Sequence, residues 1–288
     1  MNLFQYDFMW RALLGALVIG LAAPALGIYL VQRRLALIGD GIGHVALTGV
    51  GAGLLLNRSP VLVAVIAATL GAITIELVRA RGRTSGDLAL ALLFYGGIAG
   101  GVMLVGLSDA SSANLNAYLF GSLTTTSKTD LATIAVLGAA IGVTMLALRP
   151  ALFAVCHDEE YARVSGLPVR ALNLLLAVAT AVTVTIAMRA VGVLLISALM
   201  VVPVATAQQV TRGFRSTMTA AMTLGLFAAG AGVWVAANAD TAPGASVVLL
   251  AIASFLVVAV GAAGWRALRR RVAPADLTAH EPHEVVLR

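Results

Sequence analysis

The chain has 288 residues, of which 60% are hydrophobic and only 11% are charged, and its mean hydropathy is +0.97. A soluble domain usually carries about twice that share of charged residues. The formal net charge of +6 does not indicate nucleic-acid binding, because the arginines lie in short clusters between apolar runs. A single cysteine, Cys156, excludes an internal disulfide and a cysteine metal cluster. We therefore predict an all-α integral membrane protein.

Nine stretches are apolar enough and long enough to form membrane-spanning helices, which need about 20 residues each. They are residues 10–32, 35–56, 60–79, 88–107, 130–149, 171–188, 191–210, 216–237 and 244–265. The segment 111–127 (SSANLNAYLFGSLTTTS) is too polar to span, and we expect an interfacial or re-entrant piece on the outer side. If the first stretch lies flat on the membrane, the number of spans falls from about nine to eight.

Several helix boundaries are marked by capping residues and prolines. Ser59 followed by Pro60 is typical of a helix start and predicts the beginning of the third span. Asp130 stands at the start of the fifth span, where an acidic side chain suits the helix dipole. Pro203 lies inside the seventh span, and we expect it to kink that helix.

The distribution of arginines predicts the orientation, because cytoplasmic loops of membrane proteins are enriched in Lys and Arg. With the N-terminus outside and the C-terminus inside, the outer loops hold only Arg11, Arg58, Lys128 and Arg189. The inner loops then hold Arg33, Arg34, Arg79, Arg81, Arg83, Arg149, Arg163, Arg170, Arg212, Arg215, Arg266, Arg269, Arg270, Arg271 and Arg288. We predict a multi-pass protein of the cell membrane, in contact with lipid, with residues 1–271 as one transmembrane domain. Residues 272–288 form a polar cytoplasmic tail that we expect to be disordered.

Two ionisable residues lie in the second span, in the stretch LIGDGIGHVALTGVG. Asp40 and His44 are four residues apart and share one helical face, with His44 about 15 Å beyond Arg34 and near mid-membrane. Intramembrane charge is costly and by default marks a pathway or site inside the bundle. A carboxylate oxygen and an imidazole nitrogen together suit Zn²⁺, Mn²⁺ or Fe²⁺. Two ligands leave a coordination shell open, which a second copy in a homodimer or oxygens from other spans would complete.

Other interpretations of this pair remain open from the residues alone. A hydrogen bond between Asp40 and His44 would merely join helices, and a proton relay is a third interpretation because histidine titrates near neutral pH. Glu76, beside Arg79, is interpreted as a helix-end charge that reaches headgroup water. Two small-xxx-small pairs allow close helix approach and weakly favour a dimer; they are formed by Gly39, Gly43, Gly49 and Gly53.

The longest inner loop contains the charged stretch CHDEEYARVSGLPV, residues 156–169. Charges of both signs precede Gly166 and Pro168, which fits a short amphipathic helix that ends at the glycine. The helix is either an ordinary solvated element or a docking helix for a partner protein, with Glu159, Glu160 and Arg163 exposed.

The remaining histidines and the absence of a nucleotide motif add two expectations. His157 beside Cys156, and His280 and His283 in the tail, are interpreted as solvated side chains rather than metal ligands. No phosphate loop of the form GxxxxGKS/T occurs, so the chain cannot hydrolyse ATP by that route.

Four stretches resemble, in chain order, segments of the ABC-3 family of metal-ion permeases. VQRRLALIGDGIGHVALTGVG (31–51) is similar to RRMxxxGDxxxHxxLxG, with Thr48 where many members have proline. AYLFGSLTTTS (117–127) is similar to FGSLL, and VGVLLISALMVVPVATAQQV (191–210) to GxLLxxALLxxPAATA. DEEYARVSGLPV resembles the coupling segment of these permeases, a form of EAA-x-x-x-G. The resemblance extends from about residue 10 to 265.

The resemblance implies the membrane-spanning subunit of an ATP-driven importer of Zn²⁺ or Mn²⁺, or of Fe²⁺. Such a subunit forms a homodimer, binds a cytosolic ABC ATPase dimer and receives metal from an extracytoplasmic binding protein, with no permanently bound cofactor. The implied fold resembles that of cobalamin-type importers, shortened by about one helix. Asp40 and His44 match the family's metal-transit and gating residues. The residues implied to couple to the ATPase are Glu159, Glu160, Ala162, Arg163 and Gly166.

Two rival transport functions are weighed against a metal importer. A permease for a metal chelate, such as a siderophore or cobalamin, has a wide and mostly neutral pathway, which the intramembrane Asp40 and His44 disfavour. A proton-coupled secondary carrier needs no ATPase, and collapse of the proton gradient would stop its transport. A non-transporting scaffold leaves the coupling-like segment unexplained.

Overall fold

The computed structural model describes residues 6–80, 86–108, 117–122, 127–188 and 190–272. Residues 273–288 of the predicted tail, with His280 and His283, lie outside these ranges, as does most of the segment 111–127. The described residues form α-helices joined by short turns. The helices are α1 (Asp7–Gln32), α2 (Ile38–Leu55), α3 (Pro60–Ala80), α4 (Gly86–Gly106), α5 (Lys128–Ala147), α6 (Arg149–His157), α7 (Glu159–Val164), α8 (Val169–Ala187), α9 (Val193–Gln208), α10 (Phe214–Ala239) and α11 (Pro243–Val272).

The expected all-α membrane architecture is confirmed, because within the described residues eight helices are long and apolar enough to cross a membrane. They are α1 to α5, α8, α10 and α11. The seventh predicted stretch is also helical, but α9 has only 16 residues. At 1.5 Å per residue it reaches about 24 Å, less than the roughly 30 Å hydrocarbon core.

The first predicted span is packed inside the bundle. Helix α1 is packed against α5, α9 and α10, and its buried residues include Ile19, Leu26 and Tyr29. Gly20 of α1 lies so close to α10 that a Cβ there would be 2.7 Å from the Gly225 carbonyl oxygen. Whether the chain has eight or nine spans therefore depends on the short α9 and not on the N-terminal segment.

The start of α9 is covered by the described part of the predicted re-entrant piece. Residues 117–120 form one helical turn, and Gly121 follows with φ of +78°. A Cβ on Gly121 would lie 2.8 Å from the Ala190 carbonyl oxygen. Gly192 has φ of +92°. A Cβ built on Gly192 would collide with the Leu119 carbonyl oxygen of the same segment. This packing joins the short α9 to the end of the bundle opposite α7.

The predicted helix starts are confirmed. Helix α3 begins at Pro60. Helix α5 begins one residue after Ser127, whose side chain accepts a hydrogen bond from the Asp130 amide while the Asp130 carboxylate accepts one from the Ser127 amide. Pro203 lies inside α9 as expected, and its kink stays a prediction. Pro24 occupies a similar position inside α1, which the sequence analysis did not single out.

Helix α2 lies at the centre of the bundle and packs against α3, α4, α8 and α9. A Cβ on Gly97 of α4 would lie 2.6 Å from the His44 carbonyl carbon, so the two backbones are in direct contact. A Cβ on Gly49 would lie 2.5 Å from the Ala64 Cα of α3. Thr48 adds a hydrogen bond of 2.8 Å from its hydroxyl to the Gly97 carbonyl oxygen. Small residues therefore bring three helices against the segment that carries the ionisable pair.

The glycine pairs of α2 do not support a dimer. Gly43 faces Val193 of α9, and Gly53 faces Pro60 of α3. Gly39 and Gly49 face the same two helices. The suggestion that these pairs favour a dimer is wrong, because close approach within one chain already uses them.

Gly97→Ala should destabilise the chain, because the added methyl group forces α4 away from α2. We expect a loss of about 1–3 kcal/mol, the usual cost of overpacking, measured as a lower melting temperature in detergent. Gly96→Ala is the matched control, because nothing lies within 4 Å of a Cβ built there. Equal melting temperatures for the two variants would contradict the close α2–α4 contact.

Candidate metal path in helix α2

Asp40 lies in the first turn of α2 and is half-buried. Its Oδ1 accepts a hydrogen bond of 3.0 Å from the Ser197 hydroxyl of α9. The positive end of the α2 dipole also stabilises a carboxylate at this position. A neighbouring helix therefore holds Asp40 in place. One interpretation of the sequence required a hydrogen bond between Asp40 and His44, but the hydrogen bond of Asp40 is made with Ser197 instead.

His44 follows one turn later on the same face and is only 7% exposed. Its ring meets the Phe94 ring of α4 edge-on, with centroids 4.4 Å apart. Within the described residues, the buried Nδ1 atom of His44 has no hydrogen-bond partner. A buried nitrogen without a partner is costly and calls for an explanation. His44 lies about 9 Å along the helix axis from the first residue of α2, and its mid-membrane position stays a prediction.

The pair supplies oxygen and nitrogen donors that fit a divalent metal ion. The free Nδ1 of His44 and the second carboxylate oxygen of Asp40 are both unclaimed by the hydrogen bonds described above. Among the described residues, no cluster of three or more His, Cys, Asp or Glu side chains forms a complete metal shell. The pair alone is thus suited to weak, reversible contact with an ion.

The coupling-like segment folds as the short amphipathic helix that the sequence predicts. Asp158 caps α7 by accepting a hydrogen bond of 2.9 Å from the Tyr161 amide. At the other end, Gly166 has φ of +80°, and the Leu167 amide donates to the Ala162 carbonyl at 3.1 Å. This is a Schellman ending, in which glycine avoids the steric cost of the left-handed conformation.

Helix α7 presents one face to the bundle and the other to solvent. Ala162 is fully buried in the core, whereas Tyr161 is 68% and Val164 is 85% exposed. Glu160 and Arg163 are also exposed. Large apolar side chains outside the protein core are typical of a docking surface when charged residues surround them.

Glu159 ties α7 to the rest of the bundle. It accepts a hydrogen bond of 3.1 Å from Arg33 and one of 3.4 Å from Arg163. Glu76 lies in the same region, and its carboxylate pairs with Arg79 through bonds of 2.8 and 3.0 Å. Glu76 is 7% exposed and lies near the last turn of α3, as expected of a helix-end charge, and its access to headgroup water stays a prediction. Both carboxylates line a cavity of about 840 Å³ beside α7.

Cys156 and His157 each contact a neighbouring group of the bundle. The Cys156 thiol contacts the Tyr29 carbonyl oxygen at 3.7 Å. Burial, more than any nearby charge, raises the pKa of Cys156 to about 11, so the thiol stays protonated at neutral pH. His157 stacks on Phe153 with ring centroids 5.7 Å apart. The interpretation of both residues as non-ligating side chains stays a prediction.

Three functional contacts were not foreseen from the sequence. Ser197 and Asn173 are polar residues inside predicted spans, and that departure from the apolar pattern was the available signal. Arg33 was counted only among the orientation signals, although its side chain is buried. Long-range partners of this kind depend on how helices far apart in the chain come together.

Comparisons with known proteins agree with this architecture. The model of the ABC 3 transport family matches residues 5–262. The chain is 29% identical over 253 residues to the high-affinity zinc uptake system membrane protein ZnuB of Haemophilus influenzae, covering 88% of this chain and 97% of that protein. It is 30% identical over 255 residues to the manganese transport system membrane protein MntC of Halalkalibacterium halodurans, covering 88% and 87%.

A solved structure shows the same fold. PsaBC from Streptococcus pneumoniae in complex with Fab superposes with a TM-score of 0.80 at 30% identity, covering 89% of this chain and 92% of that chain. The family match, the long helices and the permease-like arrangement lead to one assignment. The chain belongs to the ABC 3 transport family and is a membrane-spanning permease subunit, not the subunit that hydrolyses ATP.

Proposed function

We propose that this permease moves a divalent metal ion, Zn²⁺ or Mn²⁺ with Fe²⁺ as a third candidate, past Asp40 and His44. The observation that carries the proposal is the buried, unpartnered Nδ1 of His44 one turn from a carboxylate. The names of the zinc and manganese relatives support metal as the cargo. Oxygen and imidazole ligands suit both ions.

The proposed complex contains two copies of this chain, a cytosolic ATPase dimer and an extracytoplasmic metal-binding protein. A second copy would supply a second Asp40 and His44, which brings the ligands to the four that a tetrahedral shell needs. Within the path, deprotonated ligands lower the dehydration cost of the ion, while incomplete ligation lets it leave.

The proposed orientation places α7 on the cytoplasmic side, with the N-terminus outside and the C-terminus inside. Arginines concentrated at the α7 end of the described bundle support it. They are Arg33, Arg34, Arg79, Arg149, Arg163, Arg170, Arg212 and Arg215. The ATPase then docks on the exposed face of α7, where Tyr161 and Val164 supply apolar contact area.

Asp40→Asn and His44→Ala should each lower uptake of labelled Zn²⁺ or Mn²⁺ by at least about ten-fold, because each removes a direct ligand. Uptake is measured in cells that express the full complex, after matched expression and ATPase association have been checked. Asp7→Asn is the control, because Asp7 is also in a first helical turn but is exposed at the opposite end of the bundle.

Normal uptake by both variants would overturn the proposed path. Inhibition of wild-type uptake by an iron chelate or a corrinoid, with no competition between bare ions, would favour a chelate permease. Uptake without the ATPase that stops when the proton gradient collapses would favour a secondary carrier.

Ser197→Ala should lower metal uptake less than Asp40→Asn does, because it frees the carboxylate but leaves both ligands in place. We expect a loss of about ten-fold, the lower end of the range typical of removing a group that orients a ligand. In the Asp40→Asn background the same change should have no further effect. Ser254→Ala is the control, because that hydroxyl bonds to the Ala251 carbonyl of its own helix. Additive effects of the two substitutions would show that Ser197 does not act through Asp40.

Val164→Asp should disrupt association with the ATPase, because it places a charge on the most exposed apolar side chain of the proposed docking face of α7. We expect at least about a ten-fold loss of co-purified ATPase, consistent with the loss of a central interface residue. Leu56→Asp is the control, because Leu56 is 65% exposed at the opposite end of the bundle. Equal recovery of the ATPase with both variants would argue that docking occurs elsewhere.

A further inference from the structure

Arg33 connects three helices at the α7 end of the bundle. It follows the last residue of α1, and its side chain is 6% exposed. Its Nη1 donates to the Asn173 side-chain oxygen of α8 at 2.6 Å. Its Nη2 donates to the Glu159 carboxylate of α7 at 3.1 Å. Asn173 is itself 5% exposed, so this contact is buried on both sides.

An arginine that served only as an orientation signal would have no reason to be buried. Taking a guanidinium out of water is costly unless it is paired and hydrogen-bonded. Arg34, the next residue, is exposed, which shows that the surface alternative is open to this turn. Burial, followed by the charge of Arg79, lowers the pKa of Arg33, yet an arginine remains charged in proteins. The buried pairing of Arg33 is therefore a specific contact.

The corner that carries Arg33 leads directly to Asp40. Helix α1 ends with the Leu35 amide bonded to the Leu30 carbonyl at 2.8 Å and the Arg34 amide to the Val31 carbonyl at 3.1 Å. Arg34 has φ of +59°, a conformation that is unfavourable for a residue other than glycine. Helix α2 starts at Ile38, whose amide donates to the Leu35 carbonyl at 3.0 Å. A displacement of Arg33 is thus carried by a hydrogen-bonded turn into the first turn of α2.

We propose that Arg33 is a positioning residue for transport, which transmits movement of α7 through Glu159 to the α1–α2 corner and so to Asp40. This inference rests on the proposed roles of α7 in docking and of Asp40 in the metal path. ATP-driven displacement of α7 moves Glu159, and the buried Arg33 makes the corner follow. The hydrogen bond to Asn173 keeps the Arg33 side chain attached to α8 during the movement. Packed interfaces of this kind convert a small local shift into a change of helix position.

The test uses the full complex in proteoliposomes with the ATPase and the metal-loaded binding protein. Radiolabelled Mn²⁺ and Zn²⁺ uptake and ATP hydrolysis are measured together, which gives metal ions transported per ATP. Arg33→Gln should lower this ratio by about five-fold or more, the scale of typical coupling between sites, while the complex still assembles and hydrolyses ATP. Arg34→Gln removes the same charge from the adjacent, exposed position and should leave the ratio unchanged.

A double-substitution cycle separates transmission from simple packing. Glu159→Gln should lower the ratio in the same way, and adding it to Arg33→Gln should cause little further loss, because both remove one contact. If the losses of the two single variants multiply in the double variant, the proposal is overturned. A fall of uptake in proportion to ATP hydrolysis in Arg33→Gln would also overturn it. If Arg33→Gln fails to assemble, Glu159→Gln decides, because it removes the same contact from the partner that is 41% exposed; an unchanged ratio there would overturn the proposal.

Failure of this inference is distinguishable from failure of the proposed metal path. Asp40→Asn is measured in the same vesicles. An unchanged ratio in Arg33→Gln with uptake abolished in Asp40→Asn would refute transmission through Arg33 and leave the path standing. A low ratio in Arg33→Gln with normal uptake in Asp40→Asn would refute the path and leave the connection between α7 and the corner.

Discussion

The surroundings of Asp40 and His44 depend on how closely the neighbouring helices approach α2. Helices in lipid gain no hydrophobic driving force from each other, so association relies on close packing and hydrogen bonds. Glycines allow α3, α4 and α9 to meet the α2 backbone. That approach brings Phe94 against the His44 ring and Ser197 against the Asp40 carboxylate. Larger residues on this helix would separate the side chains that form the proposed path.

The same central helix accounts for the contrast between the two ionisable residues. Asp40 is stabilised by a helix N-terminus and by a hydroxyl from α9, which together offset part of its desolvation. His44 has an aromatic neighbour and a buried nitrogen without a partner among the described residues. One residue is thus held in place, while the other keeps a lone pair or proton available for chemistry. A site that binds weakly and releases its ion needs both properties.

The α7 end of the bundle bears on the proposed action of a surface helix on a helix inside the membrane. A solvent-exposed salt bridge contributes little to stability and would break easily when one helix moves. The Arg33 contacts with Glu159 and Asn173 are shielded on the Arg33 side, and the pairing spans α1, α7 and α8. The adjoining cavity, lined by Glu76, Arg79 and Arg163, leaves space next to this connection. The proposed movement of α7 would use the buried contact at Arg33 and the open space beside it.

The sequence by itself determined the helices, their approximate limits and the residues with the capacity for metal chemistry. Apolar runs of spanning length are a local property, because each backbone amide in lipid must be satisfied within its own helix. The Asp40–His44 spacing and the glycine that ends α7 are equally local, so both were predictable from residues a few positions apart. The resemblance to a known family indicated the transport function, which the periodicity of apolar residues cannot indicate.

Only the tertiary structure decided which helices meet, and therefore what the polar residues do. The α2 glycines were open to a dimer interpretation until α3 and α9 of the same chain were found against them. Arg33 and Glu159 are 126 positions apart, and Ser197 and Asp40 are 157 apart. Contacts at such separations depend on the packing of the whole bundle, because no local backbone preference relates the two residues. The sequence determined the chemical groups, and the packing of α1, α2, α7, α8 and α9 determined their partners.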